Sequence, residues 1–154
     1  MFFTEEIIRG DIAIQDGIIA GIGSFHGKEE RDLAGRYVCP GFIDSHLHLE
    51  STLVTPAELV TAASRHGTTT FIVDPHESAN VSGLAGIDYI LDQTEDVKAN
   101  VYVMMPSCVP ATAIDDNGCT LTAEDMVPYL HNSRILGLGE VMDSISVVQG
   151  EKSM

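Results

Sequence analysis

Basic side chains and long apolar runs are both scarce in this chain of 154 residues. It contains 8 lysines and arginines against 23 aspartates and glutamates, which gives a formal net charge of −15 at pH 7. A nucleic-acid backbone and an anionic membrane surface both require clustered positive charge. No apolar stretch approaches the roughly 20 residues that a membrane-spanning helix needs. The composition therefore predicts neither a nucleic-acid partner nor a membrane partner.

Cysteines are few and have no paired spacing. The chain has three, at Cys39, Cys108 and Cys119, and it lacks a Cys-x-x-Cys motif. An odd, unpaired set argues against a disulfide framework and favours a reducing compartment. The first residues also lack the basic region and the long apolar core of a signal peptide. We therefore expect a cytoplasmic protein.

Residues 1–39 have the pattern of short β-structure. Two apolar runs within 10–23 are joined by Gln15-Asp16-Gly17, and Asp-Gly between strands is a strong hairpin signal because tight primed turns need positive φ. A third short strand is predicted near 35–38. Pro40 and Gly41 then interrupt the chain, so we place a domain boundary between residues 39 and 40.

From residue 42 onward, strands and helices alternate. The predicted strands are 42–48, 68–73, 100–105 and 135–141. The predicted helices run from Pro56 to a stop at Gly67, over 82–92, and over 122–131. Continuous apolar strands alternating with helices indicate a parallel sheet covered on both faces.

The spacing of these strands is that of a (β/α)₈ TIM-type barrel, which typically needs about 250 residues. Residues 40–154 therefore predict an α/β fold made of the first four βα units, the N-terminal half of such a barrel. The alternative is a small doubly wound sheet that is complete in itself. That alternative does not explain why polar residues follow every predicted strand.

The first barrel strand leads into His46-Leu47-His48. Residues i and i+2 of a strand point to the same side, so the two imidazoles face one way and Leu47 faces the other. Two adjacent imidazoles at a strand end form half of a metal site. The alternative is a pair of unconnected histidines, but the preceding Pro-Gly-Phe-Ile-Asp favours the metal site.

Polar residues also follow the other three strands, where a parallel barrel has its active site. They are Asp74, His76 and Glu77 after the second strand, Ser107 and Cys108 after the third, and Glu140 after the fourth. The group after the second strand could contact substrate, support the metal-binding histidines or hold a further ion. A turn with solvated acids is the alternative.

Two of these residues have more specific predictions. Glu140 follows Gly137-Leu138-Gly139, whose small residues leave room beside the backbone for a ligand, and it is predicted to bind metal. Cys108 has no basic neighbour in sequence that would lower the pKa of its thiol. It is therefore predicted to be a packing residue near the pocket.

Five segments together carry a resemblance to a known family. They are 40–51 (PGFIDSHLHLES), 66–70 (HGTTT), 74–81 (DPHESANV), 105–112 (MPSCVPAT) and 136–142 (LGLGEVM). The chain resembles the adenine deaminase family of the amidohydrolase superfamily. The His-x-His strand is specific only to the superfamily, whereas Asp-Pro-His-Glu and Pro-Ser-Cys-Val-Pro-Ala are more particular to adenine deaminases.

The resemblance implies hydrolysis of adenine to hypoxanthine and ammonia, a step of purine salvage. It implies a binuclear divalent metal centre, with manganese or iron favoured and zinc possible, that lowers the pKa of a bridging water. His46 and His48 would bind one metal, and Glu140 would be the bridging carboxylate. The resemblance also implies that residues 1–39 belong to a small β-sandwich domain and that the full-length form is a homo-oligomer.

The resemblance also implies residues that this chain does not contain. An acid–base aspartate on the last barrel strand and further histidine ligands would lie beyond Met154, so no catalytic residue is assigned. We therefore expect a truncated chain that is inactive alone. The alternatives are another amidohydrolase, of dihydroorotase or deacetylase type, and a non-catalytic fragment or interaction remnant.

Overall fold

The computed structural model describes residues 6–150. Residues 1–5, which are part of the segment searched for a signal peptide, lie outside this range. The chain divides into two compact units, Met1–Cys39 and Pro40–Met154. Within the described range, no helix has the length and apolar character needed to cross a membrane.

The first unit contains the predicted hairpin. Strands β1 (Asp11–Gln15) and β2 (Ile18–Gly23) pair antiparallel. Asp16 and Gly17 connect them with φ of 52° and 77°, the positive values that a tight primed turn requires. The third strand predicted near 35–38 is wrong: Ala34 and Gly35 form a turn with positive φ, and no strand follows it before residue 42. Within the described residues this unit has one two-stranded sheet, so the sandwich stays a prediction.

The second unit is built on a four-stranded parallel sheet. Its strands are β3 (Phe42–Leu47), β4 (Thr68–Val73), β5 (Asn100–Met105) and β6 (Ile135–Leu138). They lie in the order β3-β4-β5-β6, and each pair is parallel. The mixed α/β class and the sheet predicted from the alternating pattern are therefore confirmed. The last strand ends at Leu138, earlier than predicted.

Five helices accompany this sheet within the part of the unit that the structure describes, residues 40–150. They are α1 (Pro56–Ser64), α2 (His76–Ser82), α3 (Leu84–Gln93), α4 (Ala123–Met126) and α5 (Ser144–Gln149). Two 3-10 turns, Glu50–Thr52 and Val127–His131, add to them. The start of α1 at Pro56 was predicted, because proline fits the first helical position. The helix predicted over 82–92 is α3, and α2 before it was not predicted; Gly83, with φ of 63°, separates the two.

The core lies on the two central strands. Phe71, Val73, Val103 and Met105 are all buried, and they belong to one cluster with Ile87 of α3. The edge strands are more exposed, as the partly exposed pattern along β3 and β6 shows. Because all four strands are parallel, their carboxyl ends meet at one edge of the sheet, and the predicted site residues follow those ends.

Candidate metal centre

His46 and His48 face each other at the end of β3. Their Nε2 atoms lie 3.1 Å apart, and the rings meet edge to face with centroids 4.7 Å apart and an interplanar angle of 86°. Nitrogens bound to one ion at about 2.0–2.1 Å each would lie roughly 3 Å apart at tetrahedral or octahedral angles. The pair therefore has the spacing of two ligands of a single metal ion.

A hydrogen bond from the neighbouring strand sets the proton on His48. Its Nδ1 lies 2.8 Å from the backbone carbonyl oxygen of Asp74, and a carbonyl can only accept, so Nδ1 carries the hydrogen. In the neutral imidazole, Nε2 is then left with a free lone pair. This is the arrangement by which metal-binding histidines are usually oriented.

Glu140 completes the first group of donors. Its Oε2 lies 3.7 Å from Nε2 of His46, and its Oε1 lies 3.6 Å from Nε2 of His48. The ligand atoms of these three residues all lie within 4.8 Å of one another. Nearly half of the His46 side chain is exposed. The group can thus offer two nitrogens and a carboxylate to a divalent cation and still leave a side open to a substrate.

A second group shares Glu140 and adds two residues from the end of β4. Nδ1 of His76 lies 3.6 Å from Oδ1 of Asp74 and 3.6 Å from Oε1 of Glu140. The ligand atoms of these three residues also fall within 4.8 Å of one another. Both Oδ1 of Asp74 and Nδ1 of His76 are buried without a hydrogen-bond partner. Because unpaired buried polar atoms are costly, this group fits a bound cation or a bound water.

The other carboxylate oxygen of Asp74 is occupied. Asp74 is 1% exposed, and its Oδ2 accepts a hydrogen bond of 2.9 Å from the backbone N–H of Glu140. Gly139 makes this approach possible, since a Cβ at residue 139 would lie 2.1 Å from Oδ2 of Asp74. The small residue before Glu140 therefore makes room for a neighbouring carboxylate, whereas the sequence suggested room for a ligand.

The three remaining candidates lie beside these groups. Ser107 donates its hydroxyl hydrogen to the backbone carbonyl oxygen of Glu140, so it holds the backbone of a predicted ligand. Cys108 is buried, with its sulfur 3.5 Å from the Ser107 hydroxyl. The Glu77 carboxylate accepts a 2.6 Å hydrogen bond from Ser51 and belongs to neither donor group.

Sequence reasoning assigned no role to Glu50, which lies two residues after His48. Its Oε1 accepts hydrogen bonds from the backbone N–H groups of Glu77 and Ser78, both at 3.1 Å. The signal was weak, because an acid two residues after His48 also suits a solvated loop. The partner amides are 27 and 28 residues further along the chain, a contact that no local pattern encodes.

Similar proteins are known, and several are named as deaminases. The chain is 60% identical over 152 residues to an adenine deaminase of Desulfitobacterium hafniense, and the match covers 99% of this chain and 27% of that protein. It is 47% identical over 152 residues to an adenine deaminase of Geobacillus kaustophilus, 26% of which is covered. An adenine deaminase 2 of Carboxydothermus hydrogenoformans is 49% identical with 27% covered. The chain thus spans about a quarter of the length of these relatives.

The family model of the amidohydrolases matches residues 37–144 of this chain. That range includes all four strands of the parallel sheet and both groups of candidate metal ligands. Divalent metal binding is typical of the family, and the donor atoms described above are of the kind it uses. The chain belongs to the amidohydrolase family.

Proposed function

We propose that this chain is the metal-binding part of an adenine deaminase, which converts adenine and water to hypoxanthine and ammonia. The relatives at 46–60% identity that carry the name adenine deaminase support this substrate. The observation that carries the proposal is the meeting of His46, His48 and Glu140 at one edge of the parallel sheet. A hydrolytic deamination needs an activated water, and this set of donors is suited to supply one.

The proposed cofactor is a binuclear divalent centre, with manganese or iron favoured and zinc as the alternative. When bound, such a centre lowers the pKa of a water so that hydroxide forms near neutral pH. His46, His48 and Glu140 would hold one ion, and Glu140 would bridge to the second. Oδ1 of Asp74 and Nδ1 of His76 are buried without a hydrogen-bond partner, and Nδ1 of His76 lies 3.6 Å from Oε1 of Glu140. These unpaired polar atoms beside Glu140 support the proposal that a second ion is bound there.

The candidate site residues of this protein each have a proposed part in binding or in orientation. His48 is held by the Asp74 carbonyl, and the Glu140 backbone is held by Asp74 and Ser107. His76, a member of the second donor group, and Glu77 begin helix α2, and both are proposed to contact substrate or to support the metal ligands. Cys108 fills space beneath the site.

The wider setting belongs to the same proposal. Residues 40–154 are proposed to form the N-terminal half of a TIM-type (β/α)₈ barrel, to which the parallel sheet contributes the first four strands, and residues 1–39 part of a small β-sandwich domain. Three free cysteines support a reducing, cytoplasmic location. The proposed role is purine salvage, with homo-oligomerisation of the whole enzyme.

A chimera tests this function directly. The chain would replace the matching 27% of the Desulfitobacterium hafniense relative, and the product would be purified with manganese. We expect release of ammonia and hypoxanthine from adenine, measured by coupled assay and chromatography. A folded, manganese-loaded chimera with no deamination above a metal-only blank would refute the proposed activity.

The chimera also allows a matched comparison of histidines. His46→Ala together with His48→Ala should lower the deamination rate at least 100-fold, because both nitrogens of the first donor group are removed. His26→Ala is the control, since the His26 side chain is 96% exposed in the first unit. Equal loss in both variants would mean that the effect is not specific to the metal centre.

A further inference from the structure

Glu50 joins the ends of two neighbouring strands. It follows β3, in the 3-10 turn Glu50–Thr52, and its Oε1 accepts the backbone N–H groups of Glu77 and Ser78 at 3.1 Å each. Those amides lie in the first turn of α2, directly after His76. The carboxylate therefore connects the segment that carries His46 and His48 with the segment that carries His76.

Among residues 6–150, Glu50 is the only residue whose side chain accepts hydrogen bonds from the first amides of α2. Its own N-cap residue, Pro75, makes no side-chain hydrogen bond to the helix. The first amides of a helix have no partner inside the helix and need one from elsewhere. A carboxylate at this end also interacts favourably with the helix dipole, and bonds to an ionised acceptor are stronger than neutral ones.

A second contact strengthens the same connection. The Ser51 hydroxyl donates a hydrogen bond of 2.6 Å to Oε2 of Glu77. Leu49, the residue just before Glu50, is completely buried, which anchors the base of the turn. Two consecutive residues after β3 therefore hold the first turn of α2 from one side.

We propose that Glu50 is a positioning residue that fixes His76 opposite Glu140 and Asp74. This inference rests on the proposed deaminase function for its effect on catalysis. The distance of 3.6 Å from Nδ1 of His76 to Oδ1 of Asp74, and the same distance to Oε1 of Glu140, depend on where α2 begins. Without Oε1 of Glu50, the amides of Glu77 and Ser78 have no acceptor. The first turn of α2 is then free to move.

The test uses three variants of the manganese-loaded chimera. Glu50→Ala removes the accepting oxygen Oε1, Glu50→Gln keeps one carbonyl oxygen at the same reach, and Glu58→Ala removes a carboxylate from an exposed position of α1. Hydrogen exchange, followed by mass spectrometry on a peptide containing Glu77 and Ser78, reports the two amides. Values of kcat/KM for adenine and manganese content are measured on the same samples.

We expect Glu50→Ala to speed exchange at these amides about tenfold and to lower kcat/KM at least tenfold with manganese content unchanged. Glu50→Gln should stay within threefold of the parent in both measurements, and Glu58→Ala should not differ from it. Unchanged exchange in Glu50→Ala would overturn the proposal. So would a lower melting temperature with unchanged kcat/KM, because Glu50 would then be merely structural.

The two proposals fail in different ways. An inactive parent chimera would refute the deaminase function, and the exchange measurement would still decide whether Glu50 holds the first turn of α2. An active parent whose Glu50→Ala variant keeps full kcat/KM would refute the positioning role alone.

Discussion

Nδ1 of His48 lies 2.8 Å from the backbone carbonyl oxygen of Asp74, so the end of β3 is tied to the end of β4 by an imidazole. The bond turns Nε2 of His48 toward Nε2 of His46, at 3.1 Å. A backbone carbonyl is a fixed acceptor that no rotamer change can withdraw. The orientation of the histidine pair is therefore built into the sheet before any metal binds.

The first prediction concerns this pair. Replacing His46 and His48 together by alanine should weaken manganese binding at least 100-fold, because the first donor group keeps only Glu140. Metal content after gel filtration, measured by elemental analysis, checks this. His26→Ala, at an exposed residue of the first unit, should retain the parent's metal content. Unchanged metal in the double variant would show that the ion binds elsewhere.

A second prediction concerns the glycine before Glu140. In Gly139→Ala the new Cβ would lie 2.1 Å from Oδ2 of Asp74, so that carboxylate must move and its bond to the Glu140 amide must break. We expect manganese affinity to fall about tenfold, the range typical of lost supporting contacts around a metal.

Calorimetric titration with manganese measures this change. Gly23→Ala is the control, because a Cβ there would meet only the Phe25 ring at 3.4 Å, in a different unit. If Gly139→Ala binds manganese as tightly as the parent, Asp74 does not support the site through Glu140.

The parallel sheet and the pairing of the two histidines could be predicted because their signals are local. The β-branched run 68–73 and the apolar run 100–105 lie in the centre of the sheet, where both faces are covered and apolar residues are needed throughout. Strand alternation predicts that the side chains of His46 and His48 face the same way, as they do, whereas their prediction as metal ligands also depended on the flanking residues. The hairpin turn at Asp16 and Gly17 follows from the positive φ that few residues other than glycine adopt.

The helices after β4 were harder to predict because long-range contacts decide them. No helix is predicted directly after Asp74-Pro75, yet α2 begins at His76, and its first amides are held by Glu50 from another part of the chain. Gly83 then separates α2 from the predicted helix α3, and a Cβ at residue 83 would lie 2.6 Å from the sulfur of Cys119, which lies far along the sequence. The roles of Asp74 and Gly139 likewise depend on a contact across 66 residues.

A third prediction concerns the stability of the second unit. The Arg134 guanidinium donates to the backbone oxygens of Val101 at 3.0 Å and Leu91 at 2.9 Å, and also to the Thr94 hydroxyl. Arg134→Ala removes all three of these hydrogen bonds, and bonds from a charged donor contribute about 1.5–3 kcal/mol. We expect the free energy of unfolding in urea to fall by about 2–3 kcal/mol.

The matched control is Arg65→Ala. Arg65 is exposed near the end of α1, and surface substitutions of this kind usually change stability by about 0.5 kcal/mol or less. Similar losses in the two variants would mean that net charge, and not the three bonds of Arg134, determines the effect.

A fourth prediction concerns acid sensitivity. Hydrogen bonds from the backbone and side chain of Thr122 hold the pKa of Asp125 below its ordinary value of 3.8. A carboxyl whose pKa is lower in the folded state stabilises the fold above its unfolded pKa, and that contribution is lost as the pH falls through the folded pKa. Thr122→Val removes the hydroxyl of this capping box, so the pKa of Asp125 should rise toward 3.8. Carbon NMR of the carboxyl group measures it, and an unchanged pKa would contradict the prediction.

The last prediction concerns the two edge strands. Within the described residues, β3 and β6 each pair with one neighbour only, so each presents a row of unpaired backbone groups. Phe42 and Ile43 are 67% and 64% exposed, and Leu136 and Leu138 are 51% and 58% exposed. Open edges bearing exposed apolar side chains promote association. The charge of −15 opposes association, but it does not pair the backbone groups of the open edges.

We expect the 154-residue chain to sediment as an oligomer or aggregate. Phe42→Lys with Leu136→Lys should shift it toward monomer, whereas Val148→Lys, at an exposed residue of α5, should not. A compact monomer of the parent chain with one sharp unfolding transition would show that these edges are closed in solution.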